Sequence, residues 1–165
     1  MSSHAGSILI IAAPSGAGKT TLVRALQQAR PHIRHSVSFT TRAPREGEKH
    51  GEDYADIVLE IDWQGAAQVQ ALYPEAVSVF IAPPSLEVLQ QRLQTRGKDS
   101  AATIERRLAA ARSELAHAGQ FQYIIINQDF ELARQQLIGI ADTARCRFLQ
   151  QAALNTPLFQ SLGIL

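Results

Sequence analysis

The run Ile8-Leu9-Ile10-Ile11-Ala12 leads straight into Ala13-Pro14-Ser15-Gly16-Ala17-Gly18-Lys19-Thr20-Thr21, and this junction constrains the fold more than any other stretch. A short β-branched strand that breaks at a Gly-rich turn and resumes with helical spacing (Leu22, Val23, Leu26) must turn sharply at the strand's C-terminal end. Gly16 and Gly18 let the backbone curl so that successive N–H groups point inward, and the following helix adds its positive end. The stretch departs from the phosphate-loop pattern G-x-x-x-x-G-K-[ST] at Ala13, which stands at the first Gly position and is tolerated there if φ is negative. In such a loop Lys19 reaches terminal phosphates and the Thr20 hydroxyl ligates Mg²⁺. The expectation is a nucleotide-binding P-loop.

The 165 residues suggest one domain, with 45% hydrophobic and 19% charged residues giving an ordinary globular core. A net charge of +1 argues against a nucleic-acid partner. Of the 16 basic residues 13 are Arg, which suits bidentate phosphate recognition and follows equally from genomic base composition. Cys146 stands alone, so no internal disulfide or thiolate metal site is expected, and it reads as a small core residue in a helix. No window approaches ~18 consecutive apolar residues and no secretion pattern opens the chain. The chain reads as cytoplasmic, with no membrane contact, and residues 1–7 as a frayed start.

Strand Ile8–Ala12, the loop and helix Lys19–Ala29 form the first unit, closed by Arg30-Pro31. An alternating strand from His35 to Arg42 follows, then a polar loop from Ala43 to Tyr54. Ile57–Asp62 reads as a buried strand ending in acids, with a helix from Ala66 to Leu72. Ala76–Ile81 is a third buried strand, and Ser85 caps a helix to Thr95. Further helices are expected over Ala101–Ala118 and from Glu131 to about Gln151, with a strand Tyr123–Asn127 between them. Strands alternating with helices imply a parallel sheet covered on both faces.

Three sets of residues carry chemistry. Glu60 and Asp62 share a strand face, and Asp62, nearer the C-terminal edge, is the candidate to order the Mg²⁺ water shell opposite Thr20. Arg42 and Arg45 flank a kink at Ala43-Pro44, where Tyr54 and Ser38 or Thr41 can join them on one phosphate. Arg92 and Arg96 lie one helical turn apart without a countercharge, and with Arg107 they invite an anion, with Gly97 as a hinge. Arg106 and Arg112 read as a solvated face. The five histidines show no metal-ligand spacing and read as surface or capping residues.

These residues resemble a known family. Ala13–Thr20, Ser36–Arg45, Gly51-Glu52-Asp53-Tyr54, Glu60–Ala66, Ala82-Pro83-Pro84-Ser85 and Arg92–Gly97 are similar, in colinear order, to the motifs of guanylate kinase. The resemblance implies an α/β fold: a P-loop NTPase core with a parallel sheet flanked by helices (1–35 and 56–165), an Arg-bearing lid around 92–112, and a small GMP-binding lobe, partial here over 36–55. It implies phosphoryl transfer from ATP to GMP, with Lys19, Arg42, Arg92, Arg96 and Arg107 catalytic. Ala13, Pro14, Ser15, Gly16, Ala17, Gly18, Lys19, Thr20, Thr21 and Asn127 would bind ATP. Ser38, Arg42, Arg45, Tyr54 and Asp62 would bind GMP, and Thr20 and Asp62 the metal. Gln128 stands where the family commonly has an acid. Two other readings remain open, a non-catalytic guanylate-kinase-like binding module and a kinase of another nucleoside monophosphate; the intact Gly18-Lys19-Thr20 favours an enzyme. The family carries roughly forty further residues between Tyr54 and Ala55, and a hinged lobe is the low-stability element most easily lost from view. The expectation is that the protein possesses them, because a deletion would leave polar backbone without partners.

Overall fold

β1 (Ile8–Ala12) is buried from Leu9 onward because every residue in it is apolar and a neighbour covers each of its edges. A computed structural model describes residues 6–36, 56–95 and 100–164. After β1 come α1 (Lys19–Ala29), β2 (Arg34–Ser36), β3 (Ile57–Glu60), α2 (Trp63–Leu72), β4 (Val77–Ala82), α3 (Leu86–Thr95) and α4 (Ala101–Leu115). A 3₁₀ turn (Ala118–Gln120), β5 (Tyr123–Ile126), α5 (Phe130–Arg145), α6 (Phe148–Leu154) and α7 (Thr156–Ser161) complete the order.

The strands form one sheet in the order β2-β3-β1-β4-β5, with all pairs parallel. Alternation along β1 sends its side chains to opposite faces. Leu9 and Ile11 pack with Leu22, Val23 and Leu26 of α1 and with Leu137, Ala141 and Ala144 of α5. Ile10 packs on the other face with Leu59 and with Ala66 and Val69 of α2. Covering both faces explains why β4 reads as six consecutive buried residues rather than an alternating strand. The sequence after β1 runs to β2, two positions away in the sheet, so the chain diverges at β1's C-terminal edge, where α/β sheets open a crevice.

The structure corrects several local expectations. α2 begins at Trp63, three residues early, because Asp62 caps it. The expected helix to Ala118 stops at Leu115 and tightens into the 3₁₀ turn. The single final helix breaks at Cys146-Arg147, where Arg147 turns extended and donates from Nη1 to the Glu75 carbonyl at 2.6 Å. Gln151 Nε2 then donates to the Arg145 carbonyl at 2.8 Å, satisfying the end of α5. Cys146 is exposed at that break, not in the core. Ser38, Arg42, Arg45, Tyr54, Arg96, Gly97 and the 36–55 lobe beyond Ser36 lie outside the described residues.

Candidate active site

The loop after β1 is built on two left-handed glycines. Gly16 has φ of 90° and Gly18 95°, while no non-glycine residue among those described has positive φ, Ala13 included. A Cβ on Gly16 would stand 3.1 Å from Leu89 Cδ1 and Leu93 Cδ2, so α3 closes directly over the loop. Gly18 is the N-cap of α1 and, having no side chain, leaves the first amides of that helix uncapped. Those amides and the helix dipole face whatever anion the loop receives.

The chemistry-bearing side chains reach this loop from three directions. Lys19 and Thr20 open α1, and the Thr20 hydroxyl donates to Glu60 Oε2 at 3.1 Å. The register of β1 with β3 pairs Ile11 with Glu60, which sets that carboxylate beside the loop. Its other oxygen is 3.1 Å from His35 Nε2, an ion pair when the imidazole is protonated but not aligned as a hydrogen bond. Asp62 lies past the end of β3, and its Oδ1 accepts from Gly65 N at 2.7 Å. The carboxylate that meets Thr20 is therefore Glu60, whereas Asp62 caps α2.

From α4, Arg107 donates from Nη2 to Ser15 Oγ at 2.8 Å, so α4 touches the loop. Arg92 of α3, expected to lack a countercharge, donates from Nη2 to the neutral backbone carbonyl of Asn127 at 2.8 Å. Asn127 is buried and its side-chain amide donates to the Ala17 carbonyl at 2.7 Å. A hollow of about 640 Å³ opens between the loop, α3 and the start of α5, lined by Gly16, Gly18, Thr21, Arg92, Asn127 and Phe130 among others. Its size and mixed lining suit a base and ribose beside the phosphate cradle.

Sequence reasoning missed Glu114. Burial pushes its carboxyl above the usual range, Lys19 draws it back down and Asp62 pushes it up again. It therefore belongs to the same electrostatic neighbourhood as the loop lysine. The signal was available, because Glu114 lies seven residues after Arg107, on the same face of α4.

The guanylate kinase family model matches residues 5–57 and 55–143. The guanylate kinase of Bordetella pertussis is 41% identical over 206 residues, covering 99% of this chain and 96% of the relative. The chain belongs to the guanylate kinase family. A solved guanylate kinase from Anaplasma phagocytophilum superimposes with a TM-score of 0.66 at 27% identity, covering 93% of this chain and 94% of that one. A shikimate kinase from Bacteroides thetaiotaomicron (TM-score 0.54, 18% identity) shares the fold. As a guanylate kinase family member the chain is a nucleoside monophosphate kinase, a phosphotransferase on a P-loop α/β core.

The same comparisons correct the expectation about the missing lobe residues. An alignment of 206 positions against 165 residues leaves at least 41 positions without a residue in this chain. The two matched stretches meet at residues 55–57, and Tyr54 is joined directly to Ala55. This family member carries an internal deletion there. Every candidate site residue, from Ala13 to Asn127, lies within matched sequence.

Proposed function

We propose that the protein transfers the γ-phosphoryl group of ATP to GMP, and to dGMP, giving ADP and the nucleoside diphosphate, in the cytoplasm. The observation that carries this reading is the loop itself: two left-handed glycines, an uncapped helix start and Arg107 on Ser15 Oγ. Ala13, Pro14, Ser15, Gly16, Ala17, Gly18, Lys19, Thr20 and Thr21 would cradle the ATP phosphates, with the base in the hollow beside Asn127. Ser38, Arg42, Arg45, Tyr54 and Asp62 would hold GMP.

A GMP phosphate oxygen attacks the γ-phosphorus in line while the bond to the ADP oxygen breaks. That nucleophile is already anionic near neutral pH, so the site needs no general base. Catalysis is then positioning and charge neutralisation by Lys19, Arg42, Arg92, Arg96 and Arg107.

The foot of the loop fits a hard divalent cation. Thr20 Oγ1 and Glu60 Oε2 lie 3.1 Å apart and both are oxygen donors. No group of three or more His, Cys, Asp or Glu side chains among the described residues could hold a metal by itself, so an ion here would fill its shell with water and substrate oxygens. Thr20 would ligate the ion, with Glu60 and Asp62 ordering its waters. A Mg²⁺ ion held there would supply charge neutralisation to the transferring phosphoryl group.

Coupled ADP release across GMP, dGMP, AMP, UMP and CMP tests the proposal. Turnover with GMP and dGMP well above the other three is the expected outcome. Preference for AMP or a pyrimidine nucleotide, or no transfer to any acceptor, would overturn it.

A further inference from the structure

The residue after β5 has contacts that the roles above do not use. Asn127 is 6% exposed, and its backbone N–H, its backbone carbonyl and its side-chain amide are all bonded inside the protein. The N–H donates to the Ala82 carbonyl at 2.8 Å, which continues the β4–β5 ladder by one residue. The carbonyl accepts from Arg92 Nη2 at 2.8 Å. The amide nitrogen donates to the Ala17 carbonyl at 2.7 Å, and the acceptor fixes its orientation, because a carboxamide oxygen could not face that carbonyl.

Gly18 completes the fit. A Cβ at that position would collide with Asn127 Nδ2, so the loop is folded around this amide. An anion cradle needs its N–H groups inward and its carbonyls directed elsewhere, since a carbonyl facing phosphate repels it. The Ala17 carbonyl, in the middle of the cradle, is held on a buried donor.

We infer that Asn127 is a positioning residue that sets the phosphate loop in its anion-binding conformation and keeps Arg92 in register with it, acting through the loop rather than by contact with the base. The inference rests on the donor-site reading of the loop. It ties the end of β5, the P-loop and the lid helix α3 together through one side chain and one peptide group.

The test uses the full chain with two probes, inorganic tripolyphosphate with Mg²⁺ and adenosine, titrated separately by calorimetry. Asn127→Ala leaves the Ala17 carbonyl buried without its donor, which should weaken tripolyphosphate about tenfold or more and lower kcat, while adenosine affinity stays unchanged. Loss of adenosine affinity with tripolyphosphate binding intact, equal loss of both, or loss of neither would overturn the inference. Failure of the unaltered protein to bind tripolyphosphate would sink the donor-site reading itself, a distinguishable result. A second measurement does not depend on the variant folding. In ¹⁵N-asparagine-labelled protein the Asn127 side-chain amide protons should exchange slowly and stay in place when adenosine is added; fast exchange, or a shift with adenosine, would count against the inference.

Discussion

At the scale of single residues, the loop glycines act through conformation and the acids around them act through placement. Glu60 meets Thr20 because the β1–β3 register sets it beside Ile11. Glu114 reaches the neighbourhood of Lys19 from α4, and burial raises its carboxyl above the unfolded value. A raised folded value favours the protonated form, so the stability it contributes is present at low pH and lost as pH rises through the folded value. Glu114→Gln, which cannot ionise, should therefore melt at a higher temperature than the unaltered protein at pH 7 and at about the same temperature near pH 4. Thermal melts at the two pH values check this, and an equal or lower melting temperature at pH 7 would contradict it. The stretch Ala13–Thr21 was legible in the sequence because its geometry depends on local spacing and on glycines. The pairing of Thr20 with Glu60 was not, because it depends on a strand register settled by packing.

At the scale of elements, the helix boundaries follow side chains that satisfy helix ends. Asp62 caps α2 through Gly65 N, so the acid expected at a strand end is part of a helix start. Asp62→Ala should cost about 1 kcal/mol of stability, while Asp62→Asn, an equally good cap, should cost little. If Asp62 also serves the acceptor or metal, both variants lose turnover, and only a readout of stability beside activity separates cap from charge. Stability loss in both variants, or in neither, would contradict the capping role. A second staple joins α1 to α5, where Arg30 donates from Nε to Asp142 Oδ1 at 2.7 Å and from Nη2 to Oδ2. Hydrogen bonding from Arg30 holds the Asp142 carboxyl below its ordinary value, so this contribution is present at neutral pH and fades as acid protonates Asp142. Asp142→Asn should lower the melting temperature at pH 7 and leave it nearly unchanged in strong acid, as melts across pH would show. Helix periodicity located α1, α3, α4 and α5 from sequence. The break at Cys146 was not legible, because it depends on Arg147 reaching Glu75, which is distant in the chain.

At the scale of the whole molecule, alternating strands and helices were sufficient to read a parallel α/β sheet, and the family match agrees with that reading. The deletion was visible as a missing stretch but misread, since sequence spacing alone does not tell an absent segment from an overlooked one. The shortened chain joins its core at Asp56, within the residues where the two matched stretches meet. Asp56 Oδ1 accepts from Ser7 N at 2.8 Å and Oδ2 lies 3.3 Å from Arg145 Nε, tying the start of β3 to the entry of β1 and the end of α5. Asp56→Ala removes a mostly buried carboxylate from Ser7 N, Arg145 and, at 3.5 Å, His32 Nε2, and should destabilise the protein by about 2 kcal/mol. Chemical denaturation measures this, and a loss within error of zero would remove Asp56 from the account. On the proposed reading, in which residues 13–21 serve ATP and residues 38–62 serve GMP, grafting the corresponding Bordetella pertussis segment between Tyr54 and Ala55 should lower the KM for GMP and leave the KM for ATP unchanged. An altered KM for ATP with no gain for GMP would contradict that division of the site.

The proposed phosphoryl transfer depends most on the loop as a cradle for the moving phosphate, with Lys19 at its head. Steady-state phosphoryl transfer from Mg·ATP to GMP by Lys19→Ala, compared with the unaltered protein at matched thermal stability, tests this most directly. A fall in kcat of about a hundredfold or more is the expected result, as for loss of a charge that acts on the transition state. Turnover close to that of the unaltered protein would contradict it.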